Sequence, residues 1–254
     1  MIATCVVSFV SIFLIQKTLS VLPLHLTQDQ FYGYSGTLGI GVGAVFIAFM
    51  SYKRGWCKDL NERKFKLDHR AILICLLAVS AVQVILNSVL GLAFHKIHPL
   101  VPQVNPDNTA LDYIFTIVGA PLTEEFMFRY GIYGAMRHSF NKTFSMIITA
   151  VLFTLAHGFQ LQGFFLCLAV GFILALVFEK TGNIWYSISI HAALNTYVSI
   201  SNYLVNRGIP LFSEKNGYVI CHSITIAVAA VIALISVLIL RRKGRKDSVQ
   251  SPGC

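Results

Sequence analysis

Eight runs of mostly apolar residues divide this chain, each about 17–25 residues long, the length that crosses the roughly 30 Å hydrocarbon core of a bilayer as a helix. They cover 2–22, 34–52, 71–94, 110–134, 143–159, 163–179, 184–204 and 219–240. The balance of residue types agrees: 56% of the 254 residues are hydrophobic and 12% charged, whereas soluble domains carry about 25% charged residues. The predicted fold is therefore all-α, a polytopic membrane helix bundle of about eight transmembrane helices. It is expected to form a single integral-membrane domain over 1–254, with a motif-bearing core at about 110–206 and a basic cytoplasmic tail at 241–254. The first run has no basic n-region and no A-x-A-like cleavage site, and Lys17 interrupts it, so it reads as a retained helix rather than a signal peptide.

The basic residues set the orientation. Lys and Arg accumulate on the cytoplasmic side of membrane proteins. Fifteen of the twenty fall on one set of alternating connections: Lys53 to Arg70 after the second run, Arg137 and Lys142, Lys180, and Arg241 to Lys246. The other connections hold Lys96, Arg207 and Lys215. Both termini are thus predicted to be cytoplasmic, and the net charge of +9 records topology rather than nucleic-acid binding. Cys57 and Cys254 lie on that reducing side, and no disulfide framework or CxxC pair is present. In the second run, Gly39 and Gly43 form a small-xxx-small pair suited to close helix approach.

Ionisable side chains at bilayer depth cost roughly 2.5–3.5 kcal/mol each on insertion scales, so each needs a partner or a task. Runs four, five and seven hold Glu124, Glu125, Arg129, His157 and His191. Glu125 and Arg129 are four apart and share a helix face, as an ion pair requires. Glu124 points about 100° away, free to face a cavity as a base. Pro121, just upstream, removes a backbone donor and marks a break or kink. His191 and Asn195 are also four apart, an imidazole and an amide suited to hydrogen-bonding one oxyanion. At about 1.5 Å per residue, Glu124, His157, His191 and Asn195 lie ~15, ~21, ~10 and ~16 Å from the cytoplasmic helix ends, so they can meet. A structural network that ties up both carboxylates is the other reading of the Glu pair.

Three motifs in order, Glu124-Glu125-Phe126-Met127-Phe128-Arg129 (EExxxR), Phe153 to His157 (FxxxH) and His191 to Asn195 (HxxxN), resemble those of the CPBP intramembrane proteases. This is the Abi or CAAX-protease-like family, related to the Rce1-type prenyl-protein endopeptidases. The resemblance covers about 70 residues, Glu124 to Asn195. It implies that Glu124 and His157 activate a water for peptide-bond attack, that His191 and Asn195 stabilise the oxyanion, and that Glu125 and Arg129 support them. The partners it implies are a membrane-associated peptide or protein substrate and the lipid bilayer, with no nucleic acid. Family members have been described both as metalloproteases and as metal-independent glutamate proteases. No HExxH is present, and if zinc takes part then Glu124, His157 and His191 are its ligands. A second reading, drawn from bacterial relatives, is bacteriocin self-immunity or peptide binding without hydrolysis. A proton-coupled transporter would show paired broken helices in two repeated halves, a pattern this sequence lacks.

Overall fold

A computed structural model describes residues 2–24, 26–61, 109–157 and 161–206, with the single positions 81, 85 and 89. The regular structure among the described residues is all helical. The apolar runs 71–94 and 219–240 lie outside the described residues, except for those three helical positions in the former. The other six runs are helices: α1 (Ile2–Val21), α2 (Gln28–Arg54), α4 (110–139), α5 (Lys142–Ala156), α6 (Leu161–Thr181) and α7 (Ile184–Asn206), with a short α3 (Lys58–Asn61) after α2. Gln30–Arg54 and Phe164–Thr181 are the two described helices long and apolar enough to cross a membrane unaided. Two of the other helices, α5 and α4, fall short for plain physical reasons. The 15 residues of α5 reach only about 22 Å, and α4 carries three charged residues in the middle of its length.

Local sequence explains the helix ends. Thr27 and Gln30 form a reciprocal capping box at the start of α2, and Gly55 (φ 65°) closes it in the left-handed conformation that glycine adopts freely. Thr109 and Asp112 make a second capping box at the start of α4. Asp112 also accepts from Tyr34 Oη at 2.6 Å and Gln30 Nε2 at 3.0 Å, which ties α4 to α2. Asn141 Oδ1 accepts from the Phe144 N–H at 2.8 Å and starts α5.

The backbone of α4 is continuous but changes register twice. Phe115–Gly119 and Phe126–Tyr133 are π-helical, and Ala120–Glu125 between them is α-helical. The glutamate pair is therefore bracketed by two π segments, a form of helix concentrated at functional sites. The break expected at Pro121 takes the form of the first π turn rather than a chain interruption.

The chain forms two compact units, one of Met1–Phe65, Asn105–Phe159 and Cys167–Ser199, the other of Lys66–Val104, Gln160–Leu166 and Ile200–Cys254. All contacts described here lie within the first. Small residues bring its helices together, as dispersion-driven packing in lipid favours. A methyl group on Gly39 would overlap Ile12 of α1, and one on Gly43 would overlap Ser8, so the predicted small-xxx-small pair is the α1–α2 contact. Likewise Gly131 of α4 admits Ile47 of α2, and Gly171 of α6 admits Ala150 and Phe153 of α5. One core cluster joins Ile47, Met127, Phe128, Ile132 and Phe153; another joins Cys57, Tyr133, Met146, Phe178 and Ile188. At the basic end, buried Glu179 of α6 accepts from Tyr133 Oη at 2.8 Å and pairs with Arg137 Nε at 3.2 Å and Lys142 Nζ at 2.8 Å. That network joins the ends of α4 and α6 to the start of α5.

Candidate active site

The centre of the site is a chain of contacts that begins at a fully buried cation. Arg129 and Glu125 have no exposed side-chain surface, and Arg129 Nε lies 3.0 Å from Glu125 Oε2, one helical turn apart. This is the expected ion pair. Its approach lies off the hydrogen-bond axis, and neither Arg129 Nε nor Nη1 makes a hydrogen bond among the described residues. Other groups supplement it: the Phe153 ring sits 4.5 Å from the guanidinium carbon, and Arg129 Nη2 donates to the Gly171 carbonyl at 3.4 Å. A ring face attracts a desolvated cation. The close α5–α6 approach at Gly171 brings both groups to the arginine.

Glu125 uses its other oxygen to orient a histidine. Its Oε1 accepts from His191 Nδ1 at 2.9 Å. His157 Nδ1 donates in the same way to the Phe153 carbonyl at 2.8 Å. A carboxylate and a carbonyl can only accept, so both imidazoles hold their proton on Nδ1 and turn Nε2 inward. Both Nε2 atoms face one carboxylate oxygen. Glu124 Oε2 lies 3.4 Å from His157 Nε2 and 3.9 Å from His191 Nε2, and it makes no hydrogen bond among the described residues. Glu124 therefore does point away from the Arg129 pair, as its register predicts, and meets both histidines. Side-chain exposure is graded, from 33% at His157 and 14% at Glu124 to 4% at His191 and none at Glu125. The open side of the cluster is thus the Glu124–His157 side.

Phe153 organises this group. Its ring is 4.4 Å from that of His157, 5.7 Å from that of His191 and 5.3 Å from that of Phe128. One aromatic face thus sets the distance between the two imidazoles and the arginine.

The sixth residue expected at the site, Asn195, lies one turn beyond His191 on α7. Its Nδ2 donates to the Thr116 carbonyl of α4 at 2.8 Å. His191 and Asn195 thus share a helix face, while each has a protein partner of its own. The carbonyls of Thr116 and Gly171 escape a reading of side chains, because backbone acceptors carry no residue-type signal. Pro121 was the one sequence clue to the first.

Zinc usually takes three or four protein ligands at about 2.0–2.3 Å. Among the described residues no three His, Cys, Asp or Glu side chains form a group that could hold a metal ion. Glu124, His157 and His191 approach one another, but not as such a cage.

Residues 106–197 match the family model described as Type II CAAX prenyl endopeptidase Rce1-like. The chain is also 37% identical over 87 residues to the Bacillus subtilis (strain 168) protein named "Putative membrane peptidase YdiL". That match covers 34% of this chain and 35% of the relative, so the chain spans about a third of the length of the curated relative it matches. No solved structure matches it. The matched segment holds all three motifs, with Glu124, Glu125, Arg129, His157, His191 and Asn195 in order. Over this segment the chain is similar to the Rce1-related CAAX-protease-like membrane proteins.

Proposed function

We propose that the chain is an intramembrane endopeptidase that hydrolyses a peptide bond of a membrane-associated peptide or protein by Glu/His-activated water. The observation that carries this reading is the position of Glu124 Oε2, a buried oxygen with open hydrogen-bonding capacity beside two inward Nε2 atoms. A water placed there donates one proton to Glu124 and the other to His157 Nε2. As its oxygen attacks the scissile carbonyl, Glu124 takes a proton, and the same proton then passes to the leaving amine. Fixed donors must meet the negative charge that develops on the carbonyl oxygen. Asn195 Nδ2 has a second N–H for that purpose, and His191 becomes a donor when its Nε2 is protonated. Glu125 behind His191, itself paired with Arg129, holds that imidazole in place as an orienting carboxylate does in a catalytic triad. The descriptions of the matching family model and of the Bacillus subtilis relative support peptide hydrolysis. The substrate is proposed at the level of class, a peptide reachable from the membrane. The eight-span arrangement with both termini cytoplasmic belongs to the same proposal and rests on the distribution of basic residues.

Kinetics of purified protein test the division of roles. Asn195→Ala is expected to lower kcat about 10²–10³-fold with little change in KM, the cost of losing one oxyanion donor. A rise in KM at constant kcat would make Asn195 a substrate-binding residue instead. Chelator treatment that silences the wild type, with zinc restoring it, would assign Glu124, His157 and His191 to a metal.

A further inference from the structure

The contact between Asn195 and Thr116 has its origin in the backbone of α4. In a regular α-helix the Thr116 carbonyl would accept from the Ala120 N–H. Here the Ala120 N–H bonds the Phe115 carbonyl, five residues back, as a π turn requires. In the π register the donor to Thr116 is residue 121, and residue 121 is proline, which has no N–H. With Ala120 committed to Phe115 and Pro121 lacking an N–H, Thr116 receives no amide from either residue. Thr116 is exposed on the surface of the bundle, where lipid supplies no donor and an unsatisfied carbonyl is costly, and the Asn195 amide serves it at 2.8 Å.

We propose that Pro121 is a positioning residue for Asn195, acting through the Thr116 carbonyl that it leaves open. A carbonyl can accept only from the nitrogen end of a side-chain amide. The bond therefore fixes which way the amide is turned, commits Nδ2 as the donor end and holds it before any substrate arrives. Pro121 itself is fully buried and offers no polar atom to a substrate, so its effect on chemistry must pass through its neighbours. Its missing N–H is the property that matters, and any residue other than proline would restore one. A helix-interior proline is disfavoured on propensity alone, and the placement of Asn195 gives a reason for keeping it beside the glutamate pair.

The proposal rests on the role given to Asn195 above, so the test has one arm that does not depend on hydrolysis. The first arm is NMR of the full chain in detergent micelles with 15N-labelled asparagine. In the wild type, one Nδ2 proton of Asn195 is expected to be shifted downfield and protected from exchange, and in Pro121→Ala that protection is lost because the new backbone N–H competes for Thr116. The second arm is peptide hydrolysis. Pro121→Ala should lower kcat about 10-fold or more, toward the cost of losing an oxyanion donor, with KM unchanged and thermal stability equal or higher. In an Asn195→Ala background the same change should have no further effect on kcat. Pro121→Ser serves as a second variant with the same restored N–H. An unprotected Asn195 amide in the wild type, or protection that persists in both variants, overturns the positioning. Full activity of both proline variants overturns its catalytic consequence. If Asn195→Ala is itself fully active while the amide arm behaves as expected, the positioning stands and the oxyanion role of Asn195 fails.

Discussion

Removing the Arg129 guanidinium is the perturbation whose cost the structure specifies best. Arg129→Met keeps most of the side-chain length and deletes the charge. Glu125, with no exposed surface, then loses the cation at 3.0 Å and, among the described residues, retains His191 as a hydrogen-bond partner. Breaking a buried pair by removing one member costs about 3–5 kcal/mol, because the other charge stays desolvated. Loss of the contact with the Phe153 ring adds about 2 kcal/mol for a desolvated cation. A methionine sulfur against the same ring returns about 0.3–1.5 kcal/mol. The expected net loss is about 3.5–6.7 kcal/mol, a large share of the stability of an ordinary domain at about 5–15 kcal/mol. The assay is reversible unfolding in mixed micelles titrated with denaturing detergent, followed by far-UV circular dichroism. The decisive form is a double-mutant cycle, because Glu125→Gln alone strands the arginine while the combined variant strands neither charge. The combined loss should fall short of the sum of the single losses by about 2–3 kcal/mol, the upper range for groups in direct contact. An Arg129→Met loss below about 1 kcal/mol, or single effects that add within about 0.5 kcal/mol, would refute a coupled buried pair.

Two further outcomes follow from packing and topology. Gly39→Ala should destabilise by about 1–3 kcal/mol as an overpacked contact, since the new methyl meets the Ile12 backbone at 2.8–2.9 Å and no side-chain rotation relieves it; Gly43→Ala meets only the Ser8 side chain and Met127, so Ser8→Gly should restore it in the same unfolding assay. A cysteine at Ser248, in a background without the native cysteines, should react with an impermeant maleimide only after the cells are opened, and labelling from outside intact cells would reverse the predicted orientation.

The helices were legible because the bilayer imposes one scale on all of them. Run two, at 34–52, lies within a helix that extends to Gln28–Arg54; polar Gln28, Asp29 and Gln30 fall below the hydropathy threshold although Thr27 caps them into the helix. Run five, at 143–159, passes the end of α5, because a hydropathy window averages over a single polar residue while His157 leaves the α-helical conformation as the C-cap. At the site, side-chain periodicity was enough to pair Glu125 with Arg129 and to turn Glu124 away, since both follow from spacing along one helix. The partners of His191 and Asn195 were not legible. That of Asn195 is a backbone carbonyl opened by the first π turn of α4, whose signal is a single proline; that of His191 is Glu125, 66 positions away in the chain. The Glu179 network was missed for a related reason. Tyr133, Arg137, Lys142 and Glu179 come from three helices, and each alone reads as an ordinary residue at a span end.

The measurement that bears most directly on the central claim is a comparison of peptide C-termini in membranes that contain the wild-type chain or its Glu124→Gln form. The substitution preserves volume and removes the base while leaving Glu125, Arg129 and His191 in place. Mass spectrometry of membrane-associated peptides should find new C-termini with the wild type and none of them with Glu124→Gln, at equal protein levels and equal thermal stability. Identical sets of C-termini would contradict hydrolysis and leave peptide binding as the use of this site.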